Sequence, residues 1–163
     1  LKKLKKNRKI YRHGGRIPCL KEEETMTTDL YGRKEYASKN FKWKEFYCSK
    51  AKHLLVSDLT LFHIELLQQL RSEYASTLLV NSGYRSPEHN KEIGGAERSM
   101  HLEFATDIAP HPDSNHPSVL DWIASKAKRL GFTGIGRYDT FVHLDCREFI
   151  NRESAEWDNR SSK

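Results

Sequence analysis

Two of the eight histidines in this chain sit where hydrolytic chemistry would want them. His101 follows a Gly-Gly pair and Ser99, and Asp107 comes six positions later. His143 lies in an apolar run, FVHLDC, with Asp145 two positions on. In a strand, residues i and i+2 point to the same face, so His143 and Asp145 would enter one cleft together. Two imidazoles and one carboxylate make a three-ligand zinc site with a fourth position open to water. Zinc in such a site lowers the pKa of bound water and polarises a scissile carbonyl, which is the chemistry of metal-assisted hydrolysis. Taken alone, two histidines and an aspartate are a common combination, and the trio does not decide a function. His63 falls on an apolar helical face and reads as a packing residue, while His13, His53, His89, His111 and His116 read as surface or loop positions.

The elements that must position these groups are legible from periodicity. SDLTLFHIELLQQLRSEY places Leu59, Phe62, Leu66 and Leu70 at helical spacing behind Ser57 or Asp58 as the N-cap. TLLVNSGY is a short apolar run ending in turn residues and predicts a strand. Ser86-Pro87 opens a second helix, which Gly94-Gly95 closes. A loop then runs into a strand near Ala105–Ala109. Pro117 opens a further helix, PSVLDWIASKAKRL, ended by Gly131. GIGRY and FVHLDCREF predict two strands joined by Asp139-Thr140. No regular βαβ rhythm is present, so the expected fold is α+β: a small, mostly antiparallel sheet with flanking helices. The expected organisation is a basic tail and irregular lead-in over 1–37, one domain over 38–150, and a polar tail over 151–163.

The 163 residues carry 28 Lys and Arg against 22 Asp and Glu, a formal charge of +6. Eight of those basic residues lie within the first 16, where there is no acid, so the rest of the chain is close to neutral. A nucleic-acid-binding domain would spread basic surface over its folded body. A basic tail is instead able to grip any polyanion, and no specific nucleic-acid partner is expected. No apolar run approaches the ~18 residues of a membrane-spanning helix. Cys19, Cys48 and Cys146 form no CxxC and read as free, mostly buried thiols rather than as a disulfide framework or structural zinc knot. A monomer is expected, since no dimer seam is visible.

The order of the segments NFKWKEFYCSK, LLVNSGYRSPEHNKEIGGAERSMH, TDI and GIGRYDTFVHLDCR resembles the zinc D-Ala-D-Ala carboxypeptidase family. The likeness is nearest to bacterial and phage-borne murein peptidases of the hedgehog/DD-peptidase fold, and runs from about Asn40 to Arg147. What the resemblance implies is one Zn2+ held by His101, Asp107 and His143, and cleavage of peptidoglycan stem or cross-link peptides at bonds involving D-amino acids. Action at the bacterial cell wall follows from the same likeness. By position, Arg85 matches an arginine that faces substrate near the metal, where it could pair with a terminal carboxylate or a developing oxyanion. A plain structural salt bridge is its alternative. Ser99 matches a serine that shapes the metal loop, and Asn90 reads as a hydrogen-bonding residue.

Two departures from the family pattern set expectations of their own. Five residues separate His101 from Asp107, where the family has six with a glycine among them; Phe104 stands near that glycine's place. Fully extended, six steps at ~3.3 Å would carry the side chains ~20 Å apart, so a turn after His101 must absorb the interval. Otherwise Asp107 would face the other side, with Glu103 as a substitute ligand. Several relatives also place an acidic base three residues before the last histidine, and here that residue is Thr140. Asp139 and Asp145 are the carboxylates at hand; Asp145 is preferred, either assisting the water or orienting a ligand histidine from behind. The leading expectation is a zinc metallopeptidase. The alternatives are a non-catalytic wall-binding or virion module that keeps the fold, and a nucleic-acid binder resting only on the basic tail.

Overall fold

The computed structural model describes residues 35–161; the basic segment, His13 and Cys19 lie outside them. Five strands, β1 (Leu78–Ser82), β2 (Ala105–Pro110), β3 (Gly134–Arg137), β4 (Val142–Asp145) and β5 (Ala155–Asp158), form one sheet in the order β1-β2-β4-β3-β5. Every pairing is antiparallel except the parallel β3–β5 edge. The architecture is therefore α+β with a mostly antiparallel sheet, as the sequence predicts. The difference lies at the C-terminus, where Ala155–Asp158 of the expected polar tail form β5 instead. Four residues with one large apolar side chain, Trp157, give too short a pattern to read as a strand.

Among the described residues three helices, α1 (Asp58–Tyr74), α2 (Pro87–Glu92) and α3 (Pro117–Leu130), begin and end where local chemistry directs. The Ser57 hydroxyl accepts the Thr60 N–H at 3.3 Å, and Thr60 Oγ1 accepts the Ser57 N–H at 3.2 Å, closing the first turn of α1. Ser86 caps α2 and Pro87 occupies its first position. At the end of α3 the chain leaves through Gly131 at φ 118°, a left-handed conformation that suits glycine. Leu120, Ile123, Ala124 and Ala127 of α3 are buried at i, i+3, i+4 and i+7 with Leu66, Leu67 and Leu70 of α1. A fully buried Leu or Ile contributes about 1.5–3 kcal/mol.

Alternation along the central strands separates core from chemistry. Thr106 and Ile108 of β2 pair with Leu144 and Val142 of β4, and all four are buried. The intervening residues, Asp107 opposite His143 and Ala105 opposite Asp145, point to the other face. Among the described residues the core face holds one histidine. His63 of α1 is fully buried, its Nε2 lies 2.8 Å from Thr106 Oγ1, and its ring meets Phe104 and Phe132 edge-on. Burial holds its pKa down to about 3. The unfolded chain, with an ordinary histidine pKa of ~6.5, binds the extra proton between those values, so this side chain's contribution falls as pH drops from ~6.5 towards 3. A His63→Gln variant should escape that loss. Its stability deficit relative to the parent should shrink by roughly 1 kcal/mol or a little more per pH unit between pH 6 and 5, read by urea unfolding. An unchanged deficit across that range would contradict the assignment.

Candidate metal centre

Three segments bring the site together. His101 sits in a short 3-10 turn, Met100–Leu102, whose leading residue Ser99 accepts the His101 N–H at 3.3 Å. The Arg85 N–H donates to the His101 carbonyl at 2.8 Å, tying this turn to the chain that leaves β1. The turn and Glu103 consume the residues after the histidine before β2 begins at Ala105, and that compact path absorbs the short interval. Asp107 then faces the histidines: its Oδ1 lies 3.3 Å from His101 Nε2 and 3.0 Å from His143 Nδ1. Ligand-capable atoms of His101, Asp107 and His143 all lie within 4.8 Å of one another. Glu103 is half-exposed and pairs with Arg152 at 3.5 Å instead.

Each ring is held from behind. His101 Nδ1 is 2.7 Å from the Gly83 carbonyl, an acceptor only, so this nitrogen carries a proton and Nε2 is the one turned to the centre. His143 Nε2 lies 3.1 Å from Asp145 Oδ2, which leaves Nδ1 turned to Asp107. The Asp145 carboxylate is completely buried. It accepts the backbone N–H of Arg147 at 2.9 Å, and the guanidinium at 2.7 Å through Nη2 and 3.0 Å through Nε. Arg85 stands on the open side of Asp107, with Nη2 at 3.7 Å from Oδ2 and 3.3 Å from Ser82 Oγ.

The electrostatics suit a cation. Burial works to raise the Asp107 pKa, but hydrogen bonds from His101 and His143 overcome it and hold the carboxyl well below the usual range. Burial opposes charge on His143, yet Asp107 and Asp145 outweigh it and raise its pKa. Asp145 is likewise held low against the effect of its burial, by His143 and Arg147. Two imidazoles around an ionised, partly buried carboxylate form a nitrogen and oxygen donor set that fits zinc. Cys48 and Cys146 are buried free thiols outside the cluster. Both oxygens of Asp139 are taken by Ser161, at 2.9 and 2.7 Å.

The family model described as Peptidase M15 matches residues 39–145, 107 of the 163 in the chain. The chain belongs to the M15 peptidases. It is accordingly a metallopeptidase of a zinc-dependent, D-Ala-D-Ala carboxypeptidase-like family. A search of curated proteins finds no match. The M15 match ends at Asp145, so Arg147 and Trp157 lie beyond it. Sequence reasoning did not single out either residue. The available signal was the spacing H-x-D-x-R, which puts an arginine two positions past a buried carboxylate.

A groove of about 460 Å³ opens beside the centre, lined by Lys44, Lys52 and the 80–85 segment among others. None of His101, Asp107 or His143 lines it; Arg85 and Gly83, whose carbonyl meets His101, belong to both the groove and the cluster's edge. No helix among the described residues is long and apolar enough to cross a membrane.

Proposed function

We propose that the chain hydrolyses peptide bonds of bacterial peptidoglycan, in stem or cross-link peptides at bonds involving D-amino acids, with one zinc held by His101, Asp107 and His143. The observation that carries this reading is the convergence of His101 Nε2 and His143 Nδ1 on Asp107 Oδ1, in an M15 chain. Bound there, zinc would supply a Lewis acid and an acidified water at neutral pH.

The protein's own groups do the rest. Arg85 flanks the cluster and lines the groove, where it can bind a substrate carboxylate or an oxygen that gains charge as the bond breaks. Lys44 and Lys52 give the groove positive charge suited to a peptide bearing free carboxylates, as stem peptides do. Asp145 acts from behind His143: one carboxylate oxygen is engaged by the ring and both are engaged by Arg147. Of the two roles weighed for it, orienting the ligand histidine is the one this geometry favours. The non-catalytic alternative rests on the short His101–Asp107 interval, and the compact turn at 100–103, with Asp107 Oδ1 3.3 Å from His101 Nε2, weighs against it.

The test is digestion of purified peptidoglycan, with released peptides identified by mass spectrometry. The expected result is new peptide termini with the zinc-loaded chain, none after chelation, and recovery on adding zinc back. Intact peptides with a fully zinc-loaded chain would overturn the assignment of substrate.

A further inference from the structure

The metal-site face carries an aromatic residue that the family match does not reach. Trp157, in β5, places its ring 5.3 Å from the His143 ring, centroid to centroid. The Arg147 guanidinium lies 5.1 Å from the same indole, a cation–π contact. Arg147 in turn grips Asp145, and Asp145 meets His143 Nε2. The indole N–H donates to Tyr138 Oη at 3.1 Å, which fixes the ring's outer end.

The floor under this arrangement is cleared by two glycines. In β3, Gly134 sits opposite Asp145 and Gly136 opposite His143. A methyl group at Gly134 would overlap the Asp145 carboxylate, and one at Gly136 would overlap the Trp157 indole. A strand interior ordinarily disfavours glycine, and two spaced by one residue mark a close approach of neighbouring groups. Here the approaching groups are the carboxylate and the indole that flank one ligand histidine.

Resting on the metallopeptidase reading, we infer that Trp157 is a positioning residue of the metal centre. Packed on Gly136, it walls the His143 ring and, with Arg147, fixes Asp145, so that Nδ1 of His143 stays turned to Asp107. The C-terminal strand is then a working part of the site. Arg152 supports the same reading from the other ligand loop: its Nη1 donates to the Arg98 carbonyl at 3.0 Å and lies 3.2 Å from Met100 Sδ, next to His101.

The experiment compares the full chain with Trp157→Phe and Trp157→Ala. Zinc affinity is measured by competition with a chelating dye, and the His143 ring nitrogens are followed by 15N NMR in metal-free protein. Trp157→Ala should bind zinc roughly 10–100-fold more weakly, the usual effect of losing a partner that orients a ligand. It should also lose the slowly exchanging Nε2–H signal of His143. Trp157→Phe, which keeps a flat ring over Gly136, should restore most of both. If Trp157→Ala does not fold, Trp157→Leu, which fills the position without a flat ring, carries the same comparison. Parental affinity together with an unchanged His143 signal in the folded Ala or Leu variant would overturn the inference and leave the metallopeptidase reading intact. A parent that binds no zinc, yet whose His143 signal depends on Trp157, would overturn the zinc reading and support the positioning role.

Discussion

Asp107→Ala should abolish zinc retention and hydrolysis together. Asp107 Oδ1 is the atom on which both histidines converge, and no other carboxylate among His101's and His143's partners faces the centre. Asp145 is committed behind His143, and Glu103 to Arg152. The loss should therefore exceed the ~10–100-fold that follows from removing an outer partner. Elemental analysis after dialysis, beside a chelator competition, reads it directly. The pH dependence has a definite sign. His143 carries a raised pKa in the metal-free chain, and a ligand imidazole must be neutral, so zinc uptake displaces a proton. Apparent affinity should fall by up to about tenfold per pH unit as pH drops through that raised value, above the ordinary ~6.5 of histidine. Undiminished zinc in Asp107→Ala, or an affinity indifferent to pH between 8 and 6, would contradict the ligand assignment.

Arg85→Ala should separate binding of metal from chemistry. The guanidinium is 3.7 Å from Asp107 Oδ2, too far for a hydrogen bond, so its removal should leave zinc content close to one per chain. Hydrolysis should fall by roughly 10²–10³-fold, the range for removing a charge-stabilising donor at a reacting oxygen. Arg85→Lys should recover only part of this, because an ammonium cannot reproduce the planar, forked donor set. Equal loss of zinc and activity would return Arg85 to the plain salt-bridge role. Unchanged turnover in the Ala variant would remove it from the mechanism altogether.

The sequence shows the helices and four of the strands plainly because they rest on local signals. The Ser57 cap, Pro87 and Pro117 at first helical positions, Gly131 after α3, and two-residue alternation in VHLD each act within a few residues. The cluster of His101, Asp107 and His143 was legible through motif order. What periodicity could not show was how five intervening residues would turn Asp107 inward, since that depends on a 3-10 turn held by Ser99 and by Arg85's N–H. Arg147 and Trp157 were hidden for a different reason. The place of Trp157 arises from tertiary pairing of β5 with β3 across Gly136, and a lone tryptophan in a polar segment carries no periodic signal. Arg147 meets Asp145 two residues away, but only the folded chain buries that carboxylate. Asp145 shows the limit of reasoning from strand faces alone. Sharing a face with His143 is compatible with touching substrate or with bracing the ring, and the contact with Arg147 is the observation on which the proposal of bracing rests.

The central claim is that one zinc is held by two imidazoles and one carboxylate on this face of the sheet. X-ray absorption at the zinc edge, on chain loaded with one equivalent and dialysed, tests it most directly. The account predicts one zinc per chain with a shell of nitrogen and oxygen at ~2.0–2.2 Å, outer scattering from two imidazoles, and no sulfur. Sulfur at ~2.3 Å would place the metal on cysteine. That result, or a chain that retains no zinc at all, would contradict the claim.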